Sequence, residues 1–182
     1  MLLSDTNIQG SSVVFPEELQ ELQLRLYKPG GFSYSKPVAE AESADYAAYS
    51  FELNCLSVRY RTAKITPTKT GQFVTLWKRI GNGPIQPFDS ADDIDLFVIS
   101  TRDGNRFGHF VFPKTLLVQK GIISTDLKEG KRAVRVYPPW DITTSKQAQK
   151  TQQWQIACFF ELKKEETIDI AKIKSLYGFA EL

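Results

Sequence analysis

The spacing of apolar side chains changes character several times along the chain. Leu19, Leu22 and Leu26 recur at helical intervals and predict a first helix opening at Pro16, whose missing N–H suits a first helical position. Glu17 and Glu18 complement the positive end of its dipole, and Lys28-Pro29-Gly30-Gly31 ends it. Residues 32–48 are small and polar without a strong period. They predict a surface loop or a short irregular helical turn whose carboxylates, Glu40, Glu42 and Asp45, face water. From Tyr49 the period becomes two. Phe51, Leu53 and Cys55 alternate, then Leu56, Val58 and Tyr60 take the other phase. This predicts strand character to about Ile65 with a bend or tight turn at Asn54-Cys55.

Residues 66–71 read as a turn, with Pro67 presetting φ and Gly71 permitting a positive one. A strand over 72–80 follows, with Val74, Leu76 and Ile80 on one face and Phe73, Thr75, Trp77 and Arg79 on the other; Gly81-Asn82-Gly83-Pro84 breaks it. The continuous apolar run 96–99 predicts a buried central strand. Arg102-Asp103-Gly104-Asn105 predicts a hairpin turn into a returning strand over 106–112. A short helix over 114–120, a strand over 132–137 and a helix over 146–153 capped by Ser145 come next. Alternation of Trp154, Ile156, Cys158, Phe160 and Leu162 predicts a strand, with a longer helix as the alternative. An amphipathic helix over 169–177, ended by Gly178, closes the chain. The elements sum to one α/β (α+β) domain over 1–182, with a mixed central sheet flanked by helices. Its parts are a helical and loop N-terminal portion (1–48), a core (49–162) and a C-terminal helix (163–182).

At 182 residues the chain is long enough to bury a core without metals or disulfides. Its net charge of +2 is too small to argue for a nucleic-acid partner, so any such argument rests on where the charges lie. They are segregated. Between Glu52 and Asp89 there is no carboxylate, and the stretch 59–79 carries Arg59, Arg61, Lys64, Lys69, Lys78 and Arg79. Thr66, Thr68 and Thr70 punctuate these cations, and Tyr60, Phe73 and Trp77 add aromatic surface. Cations neutralise phosphates, hydroxyls hold phosphate oxygens and aromatic faces stack on unpaired bases, so the stretch predicts part of a nucleic-acid surface. The alternative is an ordinary hairpin with solvated charges. Lys114, Arg135 and Trp140 fit the same surface, although Trp140 beside prolines equally suits a cover over the core's edge. Lys146 and Lys150 stand one turn apart near a helix N-terminus, where free N–H groups favour anions.

Catalytic constellations are sparse. The sole histidine, His109, lies mid-strand among aromatic neighbours with no G-x-S-x-G in the chain, which favours a packed imidazole over a catalytic one. One His and two distant cysteines, Cys55 and Cys158, cannot supply a usual zinc set, and no P-loop or dinucleotide fingerprint occurs. Carboxylate-bound Mg²⁺ or Mn²⁺ is the remaining option, using Asp95 with Glu52 and a lysine such as Lys64 or Lys69. Asp92, Asp93 and Asp95 read more simply as loop acids and strand caps. Sparse cysteines fit a reducing cytoplasm. The N-terminal residues lack the basic region of a signal peptide, and no apolar run approaches a membrane span.

The runs AKITPTKTGQFVTLWKR (63–79), QPFDSADDIDLFVIS (86–100), RFGHFVFPK (106–114), GKRAVRVYPPWD (130–141) and SKQAQKTQQWQ (145–155) resemble the MepB family of small bacterial proteins. The resemblance covers roughly Tyr49 to Leu162. It implies a PD-(D/E)XK (restriction-endonuclease-like) α/β core in a protein that binds nucleic acid, with a catalytic set that is not intact. In that alignment Asp95 stands where the superfamily's aspartate falls. His109-Phe110-Val111 stands where an acid-x-Lys triple would be, so Glu52, Asp95 and His109 are at most remnants. No cofactor is expected unless the chain is an active nuclease. Tyr60, Trp77 and Trp140 favour RNA or single-stranded DNA over duplex. One family member is encoded beside a multidrug efflux pump, which leaves a drug-response accessory module as a further alternative.

Overall fold

A computed structural model describes residues 15–179. The N-terminal residues that bear on a signal peptide lie outside that range. Among the described residues no helix is long and apolar enough to cross a membrane.

The run expected to be a buried central strand is the middle of the molecule. Strand β8 (Leu96–Asp103) lies in a six-stranded sheet with β1 (Val38–Ala39), β2 (Tyr49–Leu53), β3 (Leu56–Thr62), β9 (Arg106–Pro113) and β11 (Phe159–Glu161). The order is β1-β2-β3-β8-β9-β11, with β3 and β8 parallel and the other neighbours antiparallel. Because side chains alternate across a strand, β8 sends Leu96 and Val98 into one core and Phe97 and Ile99 into the other. Burial on both faces explains its unbroken apolar sequence.

The first core is closed by helix α1 (Glu17–Leu22), which continues as a π turn over Gln23–Tyr27, and by α4 (Ile170–Leu176). Leu19, Leu22 and Leu26 are fully buried, as their spacing predicts, and the Tyr27 and Tyr177 hydroxyls meet at 2.9 Å. The second core is closed by a three-stranded sheet, β10 (Ala133–Val136), β5 (Lys69–Thr75) and β4 (Lys64–Thr66), together with α2 (Lys114–Gln119) and α3 (Lys146–Ile156). The remaining pair is β6 (Trp77–Arg79) with β7 (Ile85–Pro87).

The phase change near residue 54 is a two-residue hairpin. Asn54 and Cys55 both hold positive φ, at 45° and 67°, between the paired Leu53 and Leu56. The hairpin expected at 102–105 forms with Gly104 at φ 56°.

Three expectations are corrected. The strand over 72–80 is two strands in different sheets: Leu76 N donates to the Arg132 carbonyl, and the chain then turns to pair Trp77–Arg79 with Ile85–Pro87, leaving Ile80 exposed. The strand expected from Trp154 begins only at Phe159, because α3 runs through Ile156. Gln155, almost fully buried on that helix, explains the extension. Its amide donates to the Arg135 carbonyl at 3.0 Å and accepts from Tyr137 N at 2.8 Å, so the helix is bonded to the backbone of and beside β10. Finally, residues 32–48 contain the short irregular helical turn, over Ala44–Tyr46, and Asp45 is exposed as expected, but Glu40 and Glu42 do not face water freely. β1 lies against β2 and carries Glu40 and Glu42 over the second face of the central sheet, where arginines bind them.

Candidate nucleic-acid interface

Strand alternation divides the basic stretch before any ligand is considered. Arg59 and Arg61 point to the same face of β3 as their β8 neighbours Phe97 and Ile99. Arg61 has no exposed surface. Its Nη1 and Nη2 donate to the two Glu40 carboxylate oxygens at 3.1 and 2.6 Å, and Nη1 also reaches the Tyr60 carbonyl at 2.8 Å. Arg59 lies 3.5 Å from the same carboxylate. Lys78 is paired with Asp92, and Arg79 donates to Glu42 at 2.7 Å and to the Gly83 carbonyl at 2.8 Å. Trp77, half-buried, lies under the Arg79 guanidinium. Arg59, Trp77, Lys78 and Arg79 line a cleft of about 350 Å³ in which Glu40, Glu42, Asp92 and Asp93 offset the cations. The expectation of six cations on one positive face is therefore overturned. Four of them are held by acids from sequence-distant segments, and Arg61 is inaccessible. Tyr60, expected as stacking surface, is wholly buried with its hydroxyl donating to Ser100 Oγ at 2.6 Å.

Lys64 and Lys69 are different. Both are exposed and have no carboxylate partner among the described residues; Lys64 lies 5.1 Å from the Tyr46 ring centroid. They flank the turn that carries exposed Thr68. Arg135 holds that turn from β10: it donates to the Gly71 carbonyl at 3.0 Å and to Thr66 Oγ1 at 2.8 Å. Gly71, at φ 84°, lies so close to the Tyr137 ring that a Cβ would come within 2.6 Å of it, so the turn is seated against β10. Because Arg135's partners are neutral, its charge stays uncompensated.

Helix α3 continues this face. Ser145 Oγ accepts from Ala148 N at 3.1 Å, the predicted cap, while the N–H groups of the first turn have no intrahelical acceptors. Between this helix start and β10 is a cleft of about 390 Å³ lined by Lys69, Lys131 and Arg135 with Ser145, Gln147 and Thr151. A second cleft, of about 540 Å³, shares Gln147 and Thr151 with the first and adds Lys120, Lys150 and Trp154. No carboxylate lines either. Lys146 is exposed on the same first turn. Sequence reasoning missed Lys120 and Trp154. The longer helix would have revealed Trp154, which falls at i+4 from Lys150.

Two expected contacts are structural. Lys114 Nζ donates to the carbonyls of Ser90 and Asp92 at 3.0 and 2.8 Å and so clamps the loop before β8. Trp140 packs edge-on against Phe159 beneath Arg106, its indole N–H without a partner, which matches the core-cover alternative.

The candidate remnants are not gathered. Leu96 pairs with Pro113, so Asp95 faces Lys114 across the hairpin, while His109 pairs with Ser100 further along β8. Asp95 is exposed and binds backbone: its Oδ2 accepts from Ser57 N at 2.8 Å, and its own N–H donates to the Ser57 carbonyl at 2.9 Å. Glu52 is exposed opposite Ser57, two strand spacings or about 9.5 Å from Asp95. Lys64 and Lys69 lie beyond the other end of β3. His109 is fully buried between Phe107 and Phe160. Ser100 Oγ, which accepts from the Tyr60 hydroxyl, lies 2.8 Å from His109 Nδ1 in a hydrogen bond, and Nε2 has no partner among the described residues. Burial, reinforced by the charges of Arg102 and Arg25, pushes the imidazole pKa down to about 3. It is neutral and enclosed. Among the described residues no three acid, histidine or cysteine side chains converge as a metal site would require.

Comparison with known proteins agrees with the motif reading. A MepB-like family model matches residues 40–161, a span that opens on the glutamate holding Arg61. The crystal structure of MepB is similar with a TM-score of 0.69 and 36% identity, covering 74% of this chain and 89% of that one. The bacterial homing endonuclease I-Ssp6803I is a distant neighbour, at TM-score 0.44 and 16% identity over 76% of this chain and 86% of that one. No curated protein matches. With the family's span covering every strand of the central sheet except β1, this chain belongs to the MepB-like family.

Proposed function

We propose that the chain binds nucleic acid through the phosphate backbone, favours RNA or single-stranded DNA, and does so on an endonuclease-like fold without an intact catalytic set. The observation that carries this reading is the pair of adjoining clefts along β10 and the first turns of α3, lined by Lys69, Lys131, Arg135, Lys120 and Lys150 with no carboxylate in either lining among the described residues, and with exposed Lys64 on the neighbouring strand. Lys64, Lys69, Lys131, Lys146, Lys150 and Lys120 keep their charge on that surface, whereas the cations facing the central sheet are spent on Glu40, Glu42 and Asp92. Long side chains around shallow clefts, with Trp154 beside them, suit a flexible strand better than groove readout. The separation of Asp95 from His109 supports binding rather than cleavage.

Fluorescence anisotropy with labelled single-stranded RNA, single-stranded DNA and duplex, at low and physiological salt, tests the reading. Single strands should bind more tightly than duplex and weaken as salt rises. Binding indifferent to salt would refute it. Cleavage of the same oligonucleotides in Mg²⁺ or Mn²⁺, abolished by Asp95→Asn, would make the chain a nuclease instead.

A further inference from the structure

Two clefts of nearly equal volume differ entirely in charge. The cleft of about 350 Å³ over the central sheet holds Arg59, Lys78 and Arg79 but also four carboxylates. The cleft of about 390 Å³ between β10 and α3 holds Lys69, Lys131 and Arg135 and no acid. Lys69 and Lys131 are exposed amines brought together from β5 and from the loop before β10, and neither has a carboxylate partner among the described residues. Arg135 is oriented by the Gly71 carbonyl and Thr66 hydroxyl, so its fork is fixed while its charge remains. The eleven-residue helix α3 brings the start of its first turn, Ser145, Gln147 and Ala148, to the same recess, with Ala148 N already taken by Ser145 Oγ.

Three cations around one recess exceed what a single phosphodiester, with one negative charge, needs. A phosphate monoester carries about −1.5 to −2 at neutral pH and offers three acceptor oxygens. A monoester occurs at a strand's end, where it can enter a recess that a through-running backbone only passes. We infer that this cleft seats the terminal phosphate of a nucleic-acid strand, with Lys69, Lys131 and Arg135 as its cationic walls. The inference rests on the binding function proposed above and narrows its ligand to strands with a phosphorylated end.

Three internally labelled oligonucleotides of one sequence decide it: one with a 5′-phosphate, one with a 3′-phosphate and one with hydroxyls at both ends. Wild-type protein should bind one phosphorylated form about tenfold more tightly than the hydroxyl form, as a well-placed charge-assisted contact gives. Lys69→Ala with Lys131→Ala should erase that preference and leave weaker binding of all three. Both side chains are exposed, and an unchanged thermal transition verifies that the variant is folded. Equal affinity for all three forms in the wild type overturns the end-phosphate seat while leaving general binding intact. A preference that survives in the double variant overturns its assignment to this cleft. Failure to bind any of the three removes the underlying reading and the seat with it.

Discussion

Removing the Glu40 carboxylate should damage the fold far more than its place in a polar stretch suggests. The perturbation is Glu40→Ala. Arg61 has no exposed surface, so the two hydrogen bonds it makes to Glu40, at 3.1 and 2.6 Å, cannot be replaced by water. Its Nε already lacks a partner, and the Tyr60 carbonyl and Phe88 ring are all that would remain around the cation. Stranding a buried charge in this way costs about 3–5 kcal/mol. Against a total stability of about 5–15 kcal/mol that is a large fraction. For a chain of this size it lowers the melting temperature by about 6–20 °C. The control is Arg61→Met with Glu40→Leu, which removes both charges and fills their space. It should recover most of the loss, ending within about 1.5 kcal/mol of wild type. Urea titration followed by tryptophan fluorescence measures both. A Glu40→Ala loss below about 1 kcal/mol, or a double variant no better than the single, would refute a charge pair that locks β1 onto the sheet. The rescued double variant should also bind nucleic acid like wild type, since Arg61 never meets solvent.

The remaining predictions concern titration, charge and backbone anchoring. His109 is held neutral at a pKa of about 3 when folded but titrates near 6.5 when unfolded, so the unfolded chain takes up the proton first as pH falls. Stability from this residue is complete above pH 6.5 and declines below it, by about 2 kcal/mol at pH 5. Urea midpoints at pH 7 and 5 should show this in wild type and less in His109→Leu, and equal slopes would contradict it. Lys64→Ala with Lys69→Ala should leave the thermal transition unchanged but flatten the log–log salt dependence of single-strand binding by about 1.4, roughly 0.7 for each phosphate released. Asp95→Ala, by freeing Ser57 N, should cost about 1–2 kcal/mol by denaturant titration even if no cleavage activity is ever present.

Local signals were legible wherever short-range chemistry decides the outcome. The Gly104 hairpin, the Ser145 cap and the twofold burial of β8 appear as expected from residue types, whereas the turn expected over 66–71 shrinks to 67–68 because β5 already begins at Lys69. What the one-dimensional pattern could not give was which distant charges meet. The cations of 59–79 contain no acid among themselves, yet β1 pairing delivers Glu40 and Glu42 to them, and the loop before β8 delivers Asp92. Alternation at 154–158 pointed to a strand, but on the helix positions two apart take different faces, so Trp154 packs on the second core while Ile156 is exposed. On that helix Gln155 is buried and bonds the backbone at 135 and 137, partners that no pattern within 154–158 could reveal. Of the cations in 59–79 only Lys64 and Lys69 therefore stay unpaired among the described residues, and Lys69 adjoins Lys131, Arg135 and the start of α3.

The glutamine bridge has a consequence for solution behaviour. A small sheet ending on an exposed strand invites pairing with a second molecule, and proteins protect such margins with charge, proline or a covering element. Here one amide side chain takes the donor and acceptor of the backbone at and just past β10, and Pro138 and Pro139 follow at once. Loss of that amide would uncover a sticky margin directly beneath the basic helix, and self-association would be the first visible sign.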